Sequence, residues 1–417
     1  MRVLWVLNMV MPEAAQALKL NTSFSGSWLV DFMRSLAEDP EMELATMTYA
    51  NVPEMIAKDV NGVRHYIFPG GGKRLLFNSK KTLHDCQYVL DDFKPDLIHL
   101  HGTEYSIAYS MVKLQPKLPM LLTIQGILSR ISQQYKGGLS WKEFGKTATL
   151  KQWLRMKSPW SMQMLYKKNA KRERYVLQNV KYVTGRTTWD KAVMQSINPQ
   201  LQYYRHNYNL RPEFYDAKNW DSEAMVPHTV CTGPANYALK SLHVLIQAMA
   251  IVKTRYPDVK LYIPGNQTTY KASNGYERYI RRQIEALDLT DNVEFVGRKN
   301  TTGMIEMLQQ ANVFVLPSAM EGASATLREA MMVGTPSICA FRGGMTDLLF
   351  DGVNGFTYDH PEYPMLAERI CQLFADEALC KQFSQKAQAD AQLRHARQEN
   401  YQQLKKIYLE IKEDEQA

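Results

Sequence analysis

The sequence has few cysteines, no closely paired cysteines and no long apolar run. Its five cysteines are scattered through 417 residues and never stand as C-x-x-C, which argues against a disulfide framework and against a zinc site. A membrane-spanning helix needs about 20 consecutive apolar residues, and no stretch approaches that length. We therefore expect a protein of a reducing cytoplasm that does not span a bilayer.

The N-terminal stretch "MRVLWVLNMVMPEAAQA" has two interpretations. A cation before a short apolar run, followed by A-x-A at residues 15–17, resembles a signal peptide with its cleavage site. Asn8 interrupts the apolar run, however, and "RVLWVLN" is typical of a buried first strand. We favour the strand.

Short β-rich runs alternate with amphipathic helical patterns along the chain. The length also favours two domains, since one core usually serves no more than about 250 to 300 residues. Because parallel strands joined by helices form sheets covered on both faces, the sequence predicts an α/β protein with two Rossmann-like parallel-sheet domains. The predicted strands lie in "RVLWVLN", "MELATMTY", "DLIHLHG", "PMLLTIQG" and "KYVTGR", and then in "HTVCTG", "VKLYIPG", "NVEFVG", "NVFVLPS", "TPSICAF" and "NGFTYD".

Both patterns lapse within residues 203–230, and we place the domain boundary there. The prediction is an N-terminal domain of residues 1–215 and a C-terminal domain of residues 216–395, with a last helix of about residues 396–417 that packs back on the N-terminal domain. Ligands of open α/β sheets bind beyond the carboxyl ends of the strands, so the cleft between two facing sheets is the expected site. The apolar face of the last helix consists of Leu404, Ile407, Tyr408 and Ile411.

Two acids follow a predicted strand in "PSAMEGASATLREAMMVGTP". Glu321 lies in the loop after Pro317, whereas Glu329 lies about two turns into a short helix that stops at Gly334. The N–H groups at the helix start can hold a diphosphate, and a carboxylate such as Glu329 can accept hydrogen bonds from ribose hydroxyls. Taken without their sequence context, both acids are explained better by solvated surface positions. The small residues that would let a ligand approach the backbone are Gly322, Ser324, Ala325 and Thr326.

The spacing of these acids, with "AMMVGTPSI" and "GGMTDLLFDGVNGFTYD" after them, resembles the E-x7-E signature of retaining glycosyltransferases of the GT-B fold. The similar family is the large GT4-like one that builds bacterial polysaccharides. Residues 229–360 carry the resemblance, which is weaker in the N-terminal half. It implies two Rossmann-like domains facing across a cleft, a UDP- or GDP-linked sugar donor, and a glycan or lipid-linked acceptor.

The resemblance also implies roles for donor-side residues. Glu329 would hold the donor ribose, Glu321 would contact the donor sugar near the reacting carbon, and Lys240 would bind the donor phosphates, with Gly233 at the end of the preceding strand. A fixed cation there stabilises the charge that develops on the leaving diphosphate. Pro234 departs from the family, which often has arginine at that position.

Arg298 and Arg342, both in loops after strands, are the candidates to replace that arginine, although a surface role fits either of them better. The sequence contains no D-x-D motif, which argues against a divalent ion bridging the diphosphate. We expect no metal and no other cofactor besides the nucleotide-sugar co-substrate.

The N-terminal half departs from the family as well, since the strand "PMLLTIQG" ends in Gln125 and Gly126 where the family usually has histidine. A glutamine side chain donates and accepts hydrogen bonds but cannot take a proton. A mechanism with a histidine base at this position is therefore excluded. The mechanism usually assigned to the family, in which the leaving phosphate deprotonates the acceptor, is compatible with glutamine.

His101, at the end of the strand "DLIHLHG", is predicted to be catalytic together with Glu321. Strand alternation places His99 and His101 on one face, with His101 nearer the cleft. Acceptor binding and a structural role explain His101 equally well, and Glu104 is a weaker candidate of the same kind. The loop "TSFSGSWL" holds Gly26 and Ser27, whose backbone amides would approach the donor phosphates or the acceptor.

Residues 130–174 carry twelve Lys and Arg against two acids, with aromatic residues interleaved. Such a segment can lie on an anionic membrane surface, or it can be a solvated helical face over core aromatics. No recognised nucleic-acid module accompanies the charge, so nucleic acid is not an expected partner.

The hypothesis favoured by these features is a cytoplasmic, metal-independent retaining glycosyltransferase, peripheral on the inner membrane face. Two alternatives remain open from sequence. One is a nucleotide-sugar epimerase or hydrolase of the same fold. The other is a non-catalytic binding subunit, for which Pro234 and Gln125 are the best support.

Overall fold

A computed structural model describes residues 1–20, 27–70, 80–114, 116–265 and 274–416. Contacts divide the chain into two compact units. The first unit comprises Met1–Ser129, Lys167–Asn209 and His395–Ala417, and the second comprises Arg130–Tyr166 and Leu210–Arg394.

The described strands form two sheets, one in each unit. In chain order the strands are β1 (Arg2–Val6), β2 (Glu43–Ala50), β3 (Ile56–Val60), β4 (Val63–Pro69), β5 (Leu97–His101), β6 (Met120–Thr123), β7 (Tyr182–Gly185), β8 (Gln202–Arg205), β9 (Val226–Thr232), β10 (Lys260–Pro264), β11 (Val293–Gly297), β12 (Ala311–Leu316), β13 (Ser337–Ala340) and β14 (Phe356–Tyr358).

The α-helices lie between and after the strands along the chain. They are α1 (Pro12–Ala17), α2 (Ser27–Glu38), α3 (Lys80–Phe93), α4 (Ser106–Lys113), α5 (Leu128–Gln134), α6 (Trp141–Lys146), α7 (Leu150–Leu154), α8 (Pro159–Asn179), α9 (Thr188–Ile197), α10 (Leu242–Arg255), α11 (Gly275–Ala286), α12 (Thr301–Gln310), α13 (Ala325–Val333), α14 (Tyr363–Ala375), α15 (Glu377–Arg394) and α16 (Arg397–Asp414).

The sheet of the first unit has eight strands in the order β3-β4-β2-β1-β5-β6-β7-β8. All neighbours pair in parallel except β3, which is antiparallel to β4. The five strands predicted in this half are present, whereas β3, β4 and β8 were not predicted. The turn between β3 and β4 is Asn61-Gly62, with φ of 50° and 79°. An Asn-Gly pair between apolar runs is a strong hairpin signal, so this turn was readable from the sequence.

Helix α16 belongs to the first unit and packs its apolar face on that sheet. The Trp5 indole donates a hydrogen bond to the Tyr408 hydroxyl at 2.9 Å. The same hydroxyl lies 2.6 Å from Nδ1 of His99. The four apolar residues predicted on one face of this helix are all buried.

The sheet of the second unit has six strands in the order β11-β10-β9-β12-β13-β14, and every pair is parallel. These are the six strands predicted for this half, and their apolar side chains form one continuous core. From β9 the chain moves outward to β10 and β11, then returns to β12 on the other side of β9. The crevice at the carboxyl ends of β9 and β12 is therefore the expected binding position in such a sheet.

The observed division of the chain differs from the predicted boundary at residue 215 because residues 130–166 belong to the second unit. Tyr135 and Phe144 are part of its core, so the aromatic residues of this basic segment are partly structural. A Cβ added to Gly137 would stand 1.9 Å from the carbonyl oxygen of Ala238, which shows how closely the segment approaches that backbone.

Two Rossmann-like parallel-sheet units confirm the predicted fold class. Over the described ranges, no helix has the length and apolar character required to cross a membrane.

Candidate functional site

The site of the second unit begins where β9 and β12 end. The chain leaves β9 through Gly233 and reaches a short 3-10 turn at Ala238–Lys240. The N–H of Ala319, which follows β12, donates to the Leu239 carbonyl at 2.9 Å, so the two loops are fixed against each other. A Cβ on Gly233 would lie 3.0 Å from Oγ1 of Thr326. A side chain at residue 233 would therefore press on Thr326 of α13, so glycine favours the close approach of the first loop to this helix.

Lys240 and Glu321 form an ion pair across these two loops, with 2.5 Å between Nζ and Oε1. Burial by itself lowers the pKa of Lys240, but the carboxylate of Glu321 together with Tyr237 outweighs it, and the pKa of the lysine is raised. Lys240 therefore remains a cation in a half-buried position. Two residues predicted from different motifs, 81 positions apart, meet at the predicted edge of the sheet.

Gly343 and Gly344, in the stretch after β13, fix the backbone of Glu321. Gly343 has a φ of +61°, and a Cβ there would stand 2.1 Å from the carbonyl oxygen of Glu321. The N–H of Gly344 donates to that same oxygen at 3.0 Å. A side chain at residue 343 would thus displace Glu321, which gives the "GGM" stretch a local role in the site.

Glu329 is buried on α13, and its Oε1 accepts a hydrogen bond from Nε of Arg211 at 2.9 Å. Burial raises the pKa of Glu329, and the positive charge of Arg211 opposes that rise. Arg211 is itself held by Oγ1 of Thr301 at 3.1 Å. Sequence reasoning missed Arg211 because it lies in the connecting stretch, where no periodic pattern points to a site.

Two neighbouring pockets contain four of the predicted donor-side residues, whereas Glu321, Gly322, Ser324 and Ala325 line neither of them. One, of about 330 Å³, is lined by Glu329 and Arg211, and the other, of about 310 Å³, is lined by Lys240 and Gly233. The pockets meet because they share four lining residues. These are Pro234, Ala235, Asn236 and Thr326.

Positive charge enters the first pocket from Arg298, which lines it together with Arg281 and Lys299. Arg342 does not line either pocket but bonds Asp359 at 2.9 Å and the His360 carbonyl at 2.6 Å. Of the two arginines considered as replacements at the Pro234 position, Arg298 is therefore the one placed to meet a ligand.

Helix α13 begins beside the pockets. Ser324 is its N-cap, and the serine hydroxyl accepts a hydrogen bond from the N–H of Leu327 at 3.4 Å. Gly322 is half-buried and Ala325 exposed, so the backbone at the helix start is open to a ligand. The N–H groups of the first helical turn and the helix dipole favour an anion at this point.

In the first unit, the ends of β1, β5 and β6 bring together a second group of polar residues. The side-chain amide of Asn8 donates to the His101 carbonyl oxygen at 3.1 Å, and Nε2 of Gln125 lies 3.5 Å from the same oxygen. The N–H of Gly126 donates to Oε1 of Glu104 at 3.0 Å. The predicted pair Gln125 and Gly126 thus adjoins a carboxyl group that the sequence indicated only weakly.

His101 is buried, 4.6 Å from the Trp5 ring and 3.9 Å from the His99 ring, centroid to centroid. Burial lowers its pKa to about 3, so the ring is neutral. Its assignment as a catalytic residue stays a prediction. Gly26 lies outside the described residues, and the structure places Ser27 at the first position of α2.

Replacing Glu104 by glutamine is expected to stabilise the protein at high pH. Burial, aided by the Glu173 carboxyl, raises the pKa of Glu104 to about 7 from 4.5. Because the folded pKa is raised, the folded form binds this proton more tightly, and stability is lost as pH rises from about 4.5 to about 7. The variant removes that loss, which we put at about 1–3 kcal/mol for this half-buried group.

Urea unfolding of wild type and Glu104→Gln at about pH 4.5 and about pH 8.5 measures the effect. We expect nearly equal free energies of unfolding at the lower pH and a more stable variant at the higher one. Glu54→Gln, at an exposed position, is the matched control and should change neither value. An equal effect of Glu104→Gln at both pH values would contradict the raised pKa.

No three His, Cys, Asp or Glu side chains of the described residues cluster so that they could hold a metal ion. Residues 229–390, which contain Lys240, Glu321 and Glu329, match the family described as glycosyl transferases group 1.

Two curated relatives match part of the chain. A D-inositol 3-phosphate glycosyltransferase of Corynebacterium urealyticum is 29% identical over 143 residues, which are 33% of this chain and 33% of the relative. The capsular polysaccharide biosynthesis glycosyltransferase CapM of Staphylococcus aureus is 27% identical over 169 residues, 40% of this chain and 42% of the relative. The matches thus span well under half of these relatives.

Similarity of fold to solved structures covers nearly the whole chain. The structure of Anabaena Alr3699/HepE in complex with UDP-glucose superimposes with a TM-score of 0.68 at 16% identity, covering 98% of this chain and 100% of that chain. At this identity the likeness concerns the fold. The similarity to the group 1 glycosyl transferases therefore rests on residues 229–390, in a chain folded as two Rossmann-like units.

Proposed function

We propose that this chain is a retaining glycosyltransferase that moves a hexosyl or related group from a UDP- or GDP-linked donor to a glycan or lipid-linked acceptor in bacterial-type polysaccharide biosynthesis. The observation that carries the proposal is the Lys240–Glu321 pair beside the pocket that holds Glu329. The polysaccharide enzyme among the relatives and the UDP-glucose complex of the structural neighbour support this substrate class.

In the proposed mechanism the donor lies across the two pockets. Glu329 accepts a hydrogen bond from a ribose hydroxyl through Oε2, while its Oε1 stays bonded to Arg211. The diphosphate meets the start of α13 and the ammonium group of Lys240. Because Glu321 keeps that ammonium charged and in place, it can stabilise the negative charge of the leaving diphosphate without reorganisation.

In the proposed reaction, every bond that breaks or forms belongs to the donor or the acceptor. The bond between the sugar's anomeric carbon and the diphosphate oxygen breaks, and the acceptor oxygen bonds to the same face of that carbon. The acceptor proton passes to a phosphate oxygen of the leaving diphosphate. No side chain has to take this proton, which agrees with glutamine at residue 125 and with His101, a weak base because burial lowers its pKa to about 3.

Metal independence and location belong to the same proposal. Lys240, Arg298 and the start of α13 supply positive charge where the diphosphate would lie, so we expect turnover to persist in the presence of a chelator. We also place the enzyme in the cytoplasm at the inner membrane face, where the basic segment within residues 130–174 would meet anionic lipid.

Thermal unfolding with UDP, GDP and their sugars, with and without magnesium, tests the donor site. A nucleotide at 100 times its dissociation constant should stabilise the protein by about 2.7 kcal/mol, a shift of a few degrees. Lys240→Met and Glu329→Gln should abolish that shift. Lys218→Met, at an exposed lysine outside both pockets, should leave it unchanged.

Product analysis then separates the alternatives. Release of free sugar or an epimerised nucleotide sugar without acceptor would favour the epimerase or hydrolase. Absence of any nucleotide-dependent shift would favour the non-catalytic subunit and contradict the proposed function.

A further inference from the structure

Helix α7 and the turn after it present a compact apolar surface to solvent. Four large side chains within seven residues have most or about half of their surface exposed. We call this group the apolar tip: Leu150 at 76%, Trp153 at 49%, Leu154 at 78% and Met156 at 80% exposed. Exposed apolar groups of this density usually mark a binding surface.

The base of the tip is firmly held, so its exposure does not come from a loose segment. Thr149 and Gln152 form a capping box, with the Gln152 N–H bonded to the Thr149 hydroxyl at 3.2 Å. Oε1 of Gln152 also accepts from the N–H of Gly275 on α11 at 3.2 Å. A Cβ on Gly275 would lie 2.1 Å from the Thr147 carbonyl oxygen. The inner face of the segment is thus fixed to the second unit while the tip projects outward.

Cations surround the tip. Lys151, Arg155 and Lys157 are exposed and alternate with its apolar residues along the chain. Residues 130–166 contain seven Lys and Arg against one acid, Glu143. That glutamate is engaged by the Ser140 hydroxyl at 2.8 Å. The surface around the tip therefore combines exposed apolar side chains with an excess of positive charge.

We propose that the apolar tip inserts into the interface of an anionic lipid bilayer, with Lys151, Arg155 and Lys157 at the level of the headgroups. This proposal rests on the proposed function, because a lipid-linked acceptor would lie in the surface of an anionic bilayer. A second copy of the chain fits this face poorly because like charges would meet. A nucleic acid would pair with the cations but would leave Leu154 and Met156 in water.

Membrane insertion also distinguishes this region from the rest of the basic segment. Residues 167–174 lie in the other unit, and Tyr135 and Phe144 are buried in the core. The residues available for lipid contact are therefore those of the tip and its neighbours. The division of residues 130–174 among α5, α6, α7 and α8 also shows that the whole segment does not form one continuous helix on a membrane surface.

Co-sedimentation of the full chain with vesicles tests this proposal. We expect binding to phosphatidylcholine vesicles that contain phosphatidylglycerol, and little binding to phosphatidylcholine alone. Leu154→Ser with Met156→Ser should lower the partition coefficient about tenfold or more. Lys151→Gln, Arg155→Gln and Lys157→Gln together should lower it about 100-fold, since each cation near an anionic surface contributes about fivefold.

Matched variants make the assignment specific. Leu393→Ser removes an equally exposed leucine elsewhere, and Lys58→Gln with Lys113→Gln and Lys117→Gln removes the same charge from the first unit. Both should bind vesicles like wild type. Trp153→Phe should bind but lose the blue shift of tryptophan emission that accompanies insertion.

Equal loss of binding in the control variants, or full binding by the Leu154→Ser/Met156→Ser variant, would overturn the proposal. So would retention of single-stranded DNA at the same salt concentration with no vesicle binding. Sugar transfer to a water-soluble acceptor should be unchanged in the tip variants. Absent vesicle binding with intact transfer would therefore refute the membrane proposal alone, whereas absent nucleotide binding would refute the proposed function.

Discussion

Replacing Lys240 by methionine is expected to lower kcat/KM for sugar transfer by about 10²–10³-fold or more. The variant removes the cation that faces the leaving diphosphate while keeping most of the side-chain volume. It also leaves the half-buried Glu321 carboxylate without its partner at 2.5 Å. That second effect repels the diphosphate, so donor binding and the chemical step should both suffer.

A double-mutant cycle with Glu321→Gln separates these two effects. Glu321→Gln alone should lower kcat through loss of the fixed pair, while nucleotide binding remains. In the double variant the unpaired carboxylate is gone, so the combined loss should be smaller than the product of the two single losses. Lys218→Met is the control and should retain wild-type kinetics. Additive losses would mean that the two residues act separately, and unchanged transfer in Lys240→Met would contradict the mechanism.

The fold could be predicted from the sequence largely because its strands are buried on both faces. Runs such as "VLWVL" and "VFVL" are continuously apolar, which indicates parallel strands without any tertiary information. The strand β8 is only partly buried and short, so its pattern merges with the connecting stretch. The hairpin of β3 and β4 was overlooked although Asn61-Gly62 is a local signal.

The site was predictable to the extent that it follows strand ends. Lys240 and Glu321 lie in loops that follow strands, and Glu329 lies in the helix after the second of these loops. Lys240 and Glu329 line two adjoining pockets, and Glu321 pairs with Lys240. Arg211 was not predicted by the same reasoning, and Glu104 was predicted only weakly. Arg211 acquires its position by packing of the connecting stretch on α13, and the raised pKa of Glu104 depends on burial that no local pattern expresses.

Placement of the basic segment could not be deduced from composition. Its charge and aromatics are equally consistent with a surface helix and with a core element, and the structure divides it between both. Phe144 is buried, whereas Trp153 is half exposed. What decides between these outcomes is the approach of Gly137 and Gly275 to neighbouring backbone, a three-dimensional constraint.

Replacing Arg211 by leucine is expected to destabilise the protein by about 2–4 kcal/mol at high pH, since it leaves a buried carboxylate without its charge partner. The Glu329 side chain is 7% exposed and that of Arg211 24% exposed, with 2.9 Å between the bonded atoms. The pKa of Glu329 is already raised by burial, and loss of Arg211 removes the main opposing influence. The penalty should therefore be largest above the raised pKa and vanish as the carboxyl becomes protonated at low pH.

Urea unfolding of Arg211→Leu across pH measures this penalty, and the Arg211→Leu/Glu329→Gln double variant identifies its origin. The double variant should regain most of the lost stability and lose the pH dependence, because no buried charge remains. Arg255→Leu breaks an exposed pair with Glu368 at 2.8 Å and should change stability by less than about 1 kcal/mol at any pH. A pH-independent loss in Arg211→Leu that persists in the double variant would instead assign Arg211 a packing role over Phe214, whose ring centroid lies 4.9 Å from its guanidinium carbon. The ion pair would then no longer explain how Glu329 is kept charged for the ribose.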